Sequence, residues 1–350
     1  MKKIISLLTM AILVFSVVPV MAAHIGTGIG VDIETEDFAP MVWSCGDRIV
    51  DDDDLQPSLY SDDNLRYRSA NYAFEGESIS WTVLVLDKNG INKIEDVFAT
   101  IGDVQGEGND IEVNCVLDAI GPENLPNEEL GGVCGATIGE EDVNSSNFEN
   151  WDQIAGLYTC TLTVETPDSM DEEYWVTVEA VDLDGLSGTM AENEYWFFNP
   201  EIALSIDGDL VFEEVRPGTV TSSETLLIGN DAEDGSGVRL DMFISGSHFY
   251  DSSSSGAMCP STNELNLDAF SYYALNGPHE SNNNMEIPAG DQITESRRIM
   301  DGVAYSEGNL NYKNLLSPGA EMSITFKLDL PEPCNGDFDT GSIYFWGEAV

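Results

Sequence analysis

The sequence predicts an all-β protein: two consecutive β-sandwich domains behind an N-terminal export signal. Three observations lead there. Residues 158–164 and 174–181 alternate β-branched or aromatic side chains with Thr and Glu, the period-2 pattern of a sheet with one dry and one wet face. Turn signals such as Asp87-Lys88-Asn89-Gly90 and Asp182-Leu183-Asp184-Gly185 punctuate such runs, and no helical periodicity of useful length lies between them. At Asn199-Pro200 one apolar run stops and another starts at once, because proline cannot donate to a ladder and restricts the residue before it.

In chain order, segment 1–23 carries Lys2 and Lys3, an apolar run over 4–18, then Pro19 and small residues with Val20 and Ala22 placed for cleavage. This is the layout of a secretory signal peptide, and the apolar run is too short for a membrane anchor. The mature chain is expected to hold no transmembrane segment and to be secreted to the cell surface or beyond. Residues 24–69 read as an irregular strap over the first domain, with Cys45 and the acidic run from Asp51 to Asp54, a solvated loop rather than an ion site.

Residues 70–199 form the first domain. Strands are expected at 79–86, 97–101, 111–117, 158–164, 174–181 and 193–198. A long excursion over 118–152 contains Cys134, the sequon at Asn144 and a helical turn near Phe148; loops of that length are functional or tied down. Residues 200–350 form the second domain, with strands at 202–206, 210–215, 225–228, 238–244, 265–274, 322–330 and 343–346. Two of them are launched by the same device, Arg216-Pro217-Gly218-Thr219 and Ser317-Pro318-Gly319-Ala320. Proline presets φ and glycine accepts positive φ, as a type II turn requires.

The formal charge is −51, from 64 acidic against 13 basic residues, so nucleic acid is excluded as a partner. Such a chain attracts divalent cations and stays soluble in salt. With 42% hydrophobic residues it is not disordered. Six cysteines in an exported chain point to disulfides; zinc is the weaker reading, since no C-x-x-C occurs and His24, His248 and His279 have no ligand spacing. Cys259 and Cys334 are alone in the second domain and are expected to pair.

Nucleophilic catalysis lacks a G-x-S-x-G motif, and no Gly-rich turn leads into a helix with Lys for phosphate. Acidic residues are so abundant that no pair identifies a glycosidase. Calcium is the one ligand with a rationale: it needs six to eight oxygens, and Asp87, Asn89, Asp182 and Asp184 sit in two turns that would bring four donors together if both emerge at one end of the sandwich. The competing reading is that both are self-bonded hairpin turns. Trp81, Trp175 and Trp346 read as core, whereas Trp43 and Trp151 are either stacking platforms for glycans or plugs.

Gly156-Leu157-Tyr158-Thr159-Cys160 resembles the tyrosine pattern of immunoglobulin domains, a Tyr two before a Cys, although the Trp81 strand has no Cys to pair across the sheets. The pattern over 70–199 is more similar to immunoglobulin-like repeats of prokaryotic surface proteins, and that over 200–350 resembles jelly-roll or immunoglobulin-like modules of secreted archaeal and bacterial surface and fibre proteins, among them TasA-type fibre subunits. The resemblance makes the strands of Cys115 and Cys160 antiparallel neighbours, which would pair those two and leave Cys45 for Cys134; Cys115 with Cys134 and Cys45 with Cys160 is the alternative. Export, all-β architecture, extreme acidity and the lack of a catalytic set point to a non-enzymatic structural or adhesive subunit of a surface layer, fibre or envelope complex. Its partners would be other envelope proteins, itself or glycans, and it would require no cofactor beyond calcium. A secreted carbohydrate-binding protein and a carboxylate-dependent glycan-active enzyme are the alternatives.

Overall fold

A computed structural model describes residues 31–51, 67–68, 71–104, 111–122, 134–139, 141–191, 193–253, 256–300 and 313–350. The expected signal peptide and the acidic run beyond Asp51 lie outside the described residues. Contacts divide the chain into Met1–Asp37 and Phe38–Val350. In the first unit, the described residues 31–37 hold no regular structure, and Val31 and Ile33 are 75% and 76% exposed.

The described residues of the second unit are all-β, with only short helical turns such as Trp151–Ile154. Its longer strands, in chain order, are β1 Met41–Asp51, β2 Ser78–Leu86, β3 Ile94–Gly102, β4 Ile111–Ile120, β5 Ala155–Thr163, β6 Glu172–Asp182 and β7 Glu194–Phe198. These form one sheet path, β1-β2-β5-β4-β3-β6-β7, with Tyr67–Arg68 beside β1 and Tyr72–Ala73 beside β7. Alternation does the folding: β2 and β6 turn Ile79, Trp81, Val83, Val176, Val178 and Ala180 into one core.

The two ends of this path meet. Arg48 of β1 pairs with Glu194 of β7, donates to the Tyr195 carbonyl at 2.9 Å, and lies 5.9 Å from the Trp196 ring. Gly188 lies so close to Pro40 that a Cβ would sit 1.7 Å from the proline carbonyl oxygen, so only glycine fits there.

The strap reading of residues 41–51 is corrected. They form a regular strand, antiparallel to β2 from Met41↔Leu86 to Asp51↔Ser78. Gly46-Asp47 interrupts the alternation in sequence, and the ladder absorbs it as a register shift between Ser44 and Arg48.

The remaining longer strands are β8 Leu204–Asp207, β9 Val220–Asn230, β10 Leu240–Gly246, β11 Phe270–Asn276, β12 Glu321–Asp329 and β13 Ile343–Ala349. One sheet runs β8-β9-β12-β11; in the other, β10 pairs with β13 and with the short strands Arg297–Arg298 and Leu315–Leu316. Both proline-glycine turns form, with Gly218 at φ 72 and Gly319 at φ 69, each closed by a backbone bond to the first turn residue. The core between the sheets includes Ile228, Met242, Tyr272 and Phe326, and Tyr72 and Phe197 from the earlier strands pack into it as well.

Buried Asp241 anchors the β10 side. It accepts from Arg298 Nε at 2.7 Å and Asn314 Nδ2 at 2.5 Å, tying both flanks of residues 301–312 to the sheet. Burial pushes its carboxyl above the ordinary range, opposed by the Arg298 charge.

Candidate functional site

A groove of about 830 Å³ lies beside β11 and β12, a size in the ordinary range of ligand sites. One wall is the segment after β8. Residues 210–213 alternate like a strand, yet 210–215 join no ladder, which corrects the strand expected there. The pattern reports which side chains are half-buried, here Leu210, Phe212 and Val215 against the second core, and carries no information about backbone pairing. β8 holds only Leu227–Asn230 of the β9 edge, and after Asp207 the chain bends at Gly208, with φ 109, and does not continue along it.

The opposite wall is the loop over 334–338. The Cys259–Cys334 disulfide ties it down, and Met258 and Asn335 exchange backbone bonds at 2.8 and 3.0 Å. At Gly336, with φ 109, a Cβ would sit 2.3 Å from that of Ala257, so glycine is required for the close approach. Further along, Ser252 donates from Oγ and N to the Asp339 carboxylate at 2.6 and 2.8 Å, which holds that carboxyl below its ordinary range. The first wall is held by Gly218, whose N–H donates to the Leu330 carbonyl at 2.7 Å.

Between the walls lie aromatic rings. Phe270 stands edge-on to Phe212 at 5.9 Å and tilted to Phe249 at 4.9 Å, with Phe338 also lining the groove. The charged lining residues are Glu213, Glu214 and Asp337, all exposed, and no Lys, Arg or His lines the groove. Glu214 has φ 50, a left-handed conformation uncommon for a side-chain-bearing residue. Sequence reading missed this site because its walls are more than a hundred residues apart in the chain; the dense Phe and Glu between Leu210 and Val215 were the one local signal.

The calcium set comes together only in part. Asp87 and Asp182 are both buried and close enough that the Asp182 charge acts on Asp87. Asp87 Oδ1 accepts the Asn89 N–H at 2.7 Å, and Asp182 Oδ1 accepts from Asp184 and Leu186 at 2.9 and 2.7 Å, so each turn is self-bonded. Asn89 Oδ1 accepts from the Phe38 N–H at 2.5 Å, and Asp184 lies 3.3 Å from Lys93 Nζ. Asp87 Oδ2 is buried with no hydrogen-bond partner, and burial first, then Asp182, pushes this carboxyl up. Among the described residues no group of three His, Cys, Asp or Glu side chains is arranged to hold a metal ion.

The disulfides are Cys45–Cys134, Cys115–Cys160 and Cys259–Cys334. Cys115 and Cys160 face each other across β4 and β5 within one sheet. The Tyr158 ring is buried, but its hydroxyl makes no hydrogen bond among the described residues, so the tyrosine-corner bond of immunoglobulin domains is missing there.

Trp81 is buried in the first core. Trp175 and Trp346, also expected in a core, are half-buried, with their rings tilted against those of Tyr195 and Tyr344 at 5.9 and 6.0 Å. Trp151 is a plug rather than a platform: it is buried with Cys45 and Cys134 and donates from Nε1 to the Pro122 carbonyl at 2.9 Å, while half-buried Trp43 packs on the same cluster. The Asn144 side chain accepts from the Ser146 and Asn147 N–H groups at 2.9 and 3.2 Å. His248 Nδ1 accepts the Leu267 N–H at 2.9 Å, so this histidine supports a turn.

No protein-family model matches the chain, and no curated protein matches it either. Among solved structures it is similar to the C-terminal domain of the Streptococcus agalactiae AgI/II polypeptide BspA, at 10% identity and a TM-score of 0.28, over 89% of this chain and 97% of that one. It is also similar to a chain of a chaperone–tip adhesin complex of CFA/I fimbriae biogenesis, at 10% identity and a TM-score of 0.25, over 89% of this chain and 92% of that one. Both likenesses are distant.

Proposed function

We propose that the chain is an exported, non-enzymatic surface protein: a structural or adhesive subunit of a surface layer, fibre or envelope complex, acting after loss of segment 1–23. Its strands would make two consecutive sandwich domains, immunoglobulin-like first and immunoglobulin-like or jelly-roll second. The observation that carries the reading is the set of three disulfides using all six cysteines. Cross-links of that kind persist in oxidising, extracytoplasmic settings. The net charge of −51 supports it, since an acidic surface keeps such a protein soluble in saline surroundings. Immunogold labelling of intact cells tests it, with label expected at the envelope. Label confined to the cytoplasm, or release into the medium with activity on a polysaccharide, overturns it.

A further inference from the structure

We propose that the groove beside β11 and β12 binds an extended segment of a partner protein in which apolar residues alternate with Lys or Arg. The inference rests on the surface-subunit reading and names the partner class of that subunit.

Backbone supply is the first support. Along one wall, the N–H and C=O groups of residues 209–213, up to the left-handed Glu214, make no hydrogen bond among the described residues. Such a row is a template for adding a strand, in which main-chain bonds provide affinity and pockets for alternate side chains provide selectivity. The pockets are present, because Phe212, Phe249, Phe270 and Phe338 offer ring surface to one face of an added strand.

Charge chooses the occupant. Glu213, Glu214 and Asp337 line the same groove and no basic residue offsets them there; Arg216, next along the chain, is not part of the lining. A cationic side chain emerging beside these rings would meet carboxylates and aromatic faces together. A second copy of this chain is a poor occupant, since two chains of charge −51 repel.

The test uses the full chain in isothermal titration at about 0.15 M salt, where the field of remote charges is screened beyond about 8 Å. Three amidated octapeptides serve as probes: a Lys-Val repeat, a Glu-Val repeat, and the Lys-Val repeat with a central Val changed to Pro. The Lys-Val repeat is expected to bind once per chain. Binding is expected to weaken at least about tenfold, equivalent to 1.4 kcal/mol, in the Pro peptide, in Phe212→Ala/Phe338→Ala, and in Glu213→Gln/Glu214→Gln/Asp337→Asn. The last variant changes only exposed side chains, so it reads the groove even if the phenylalanine variant unfolds. Equal binding of the Glu-Val peptide removes the charge argument, and equal binding of the Pro peptide removes strand addition. Unchanged binding to the triple variant leaves only the general field, and self-association of the chain that Phe212→Ala abolishes would make a second copy the occupant. Each of these overturns the inference. Envelope labelling without peptide binding defeats the inference alone, whereas cytoplasmic labelling defeats the reading beneath it.

Discussion

The Tyr72 hydroxyl donates to the backbone carbonyl of Val350 at 2.5 Å, across 278 residues of sequence. Tyr72 pairs with β7 through its backbone, yet its ring is buried in the core of the later strands. The seam between the two sets of sheets is therefore a shared core.

Tyr72→Phe removes only the hydroxyl bond and is expected to destabilise by about 1 kcal/mol, while Tyr72→Ala opens a cavity and costs about 3–5 kcal/mol. Urea unfolding followed by tryptophan fluorescence checks both. A single transition is expected, moving as a whole in each variant, and a fragment over 200–350 should be less stable than the same strands in the intact chain. Two separate transitions, only one of them moved by Tyr72→Ala, would refute the shared core.

Asp87 makes a pH prediction. Burial and the neighbouring Asp182 raise its folded-state pKa above the unfolded value, so its favourable contribution is full below the ordinary carboxylate range and is lost as pH rises through the raised value. Asp87→Asn keeps an acceptor for the Asn89 N–H and removes the buried charge. It is expected to raise stability at neutral pH by about 1 kcal/mol and to match wild type near pH 3, with thermal melts across pH as the measurement. If calcium occupies the pair, it should raise the wild-type Tm beyond sodium chloride of equal ionic strength, and Asp87→Asn should lose that increment. Identical curves in the two salts would exclude the site.

The Cys259–Cys334 link holds one wall of the groove across a separation of 75 residues. Cys259→Ser/Cys334→Ser is expected to destabilise by up to roughly 4 kcal/mol by loop-entropy arithmetic. It should also speed amide exchange at Asn335, whose N–H bonds to Met258, more than exchange in β9. Equal protection at Asn335 in the two proteins would show that the loop is held without the disulfide.

Sequence alone determined the period-2 strands, the two proline-glycine turns, the stop at Asn199 and an even set of cysteines. These are local properties, written in side-chain alternation and in which residues tolerate positive φ. Asn199 shows the limit of that reading: the stop was legible, but not that its side chain accepts from the Glu75 N–H at 2.7 Å and donates to the carbonyls of Glu165 and Met170. Tertiary structure decided which alternating runs become ladders. Residues 41–51, with a broken pattern, pair along β2, while residues 210–215 join no ladder, because the chain bends away at Gly208 and turns again at Glu214. It also decided that Asp87 is buried beside Asp182, and that Phe212 and Phe338 line one groove. Alternation states which face of a segment is dry; the choice of neighbour belongs to the path of the chain, which a glycine at positive φ such as Gly208 can lead off an edge.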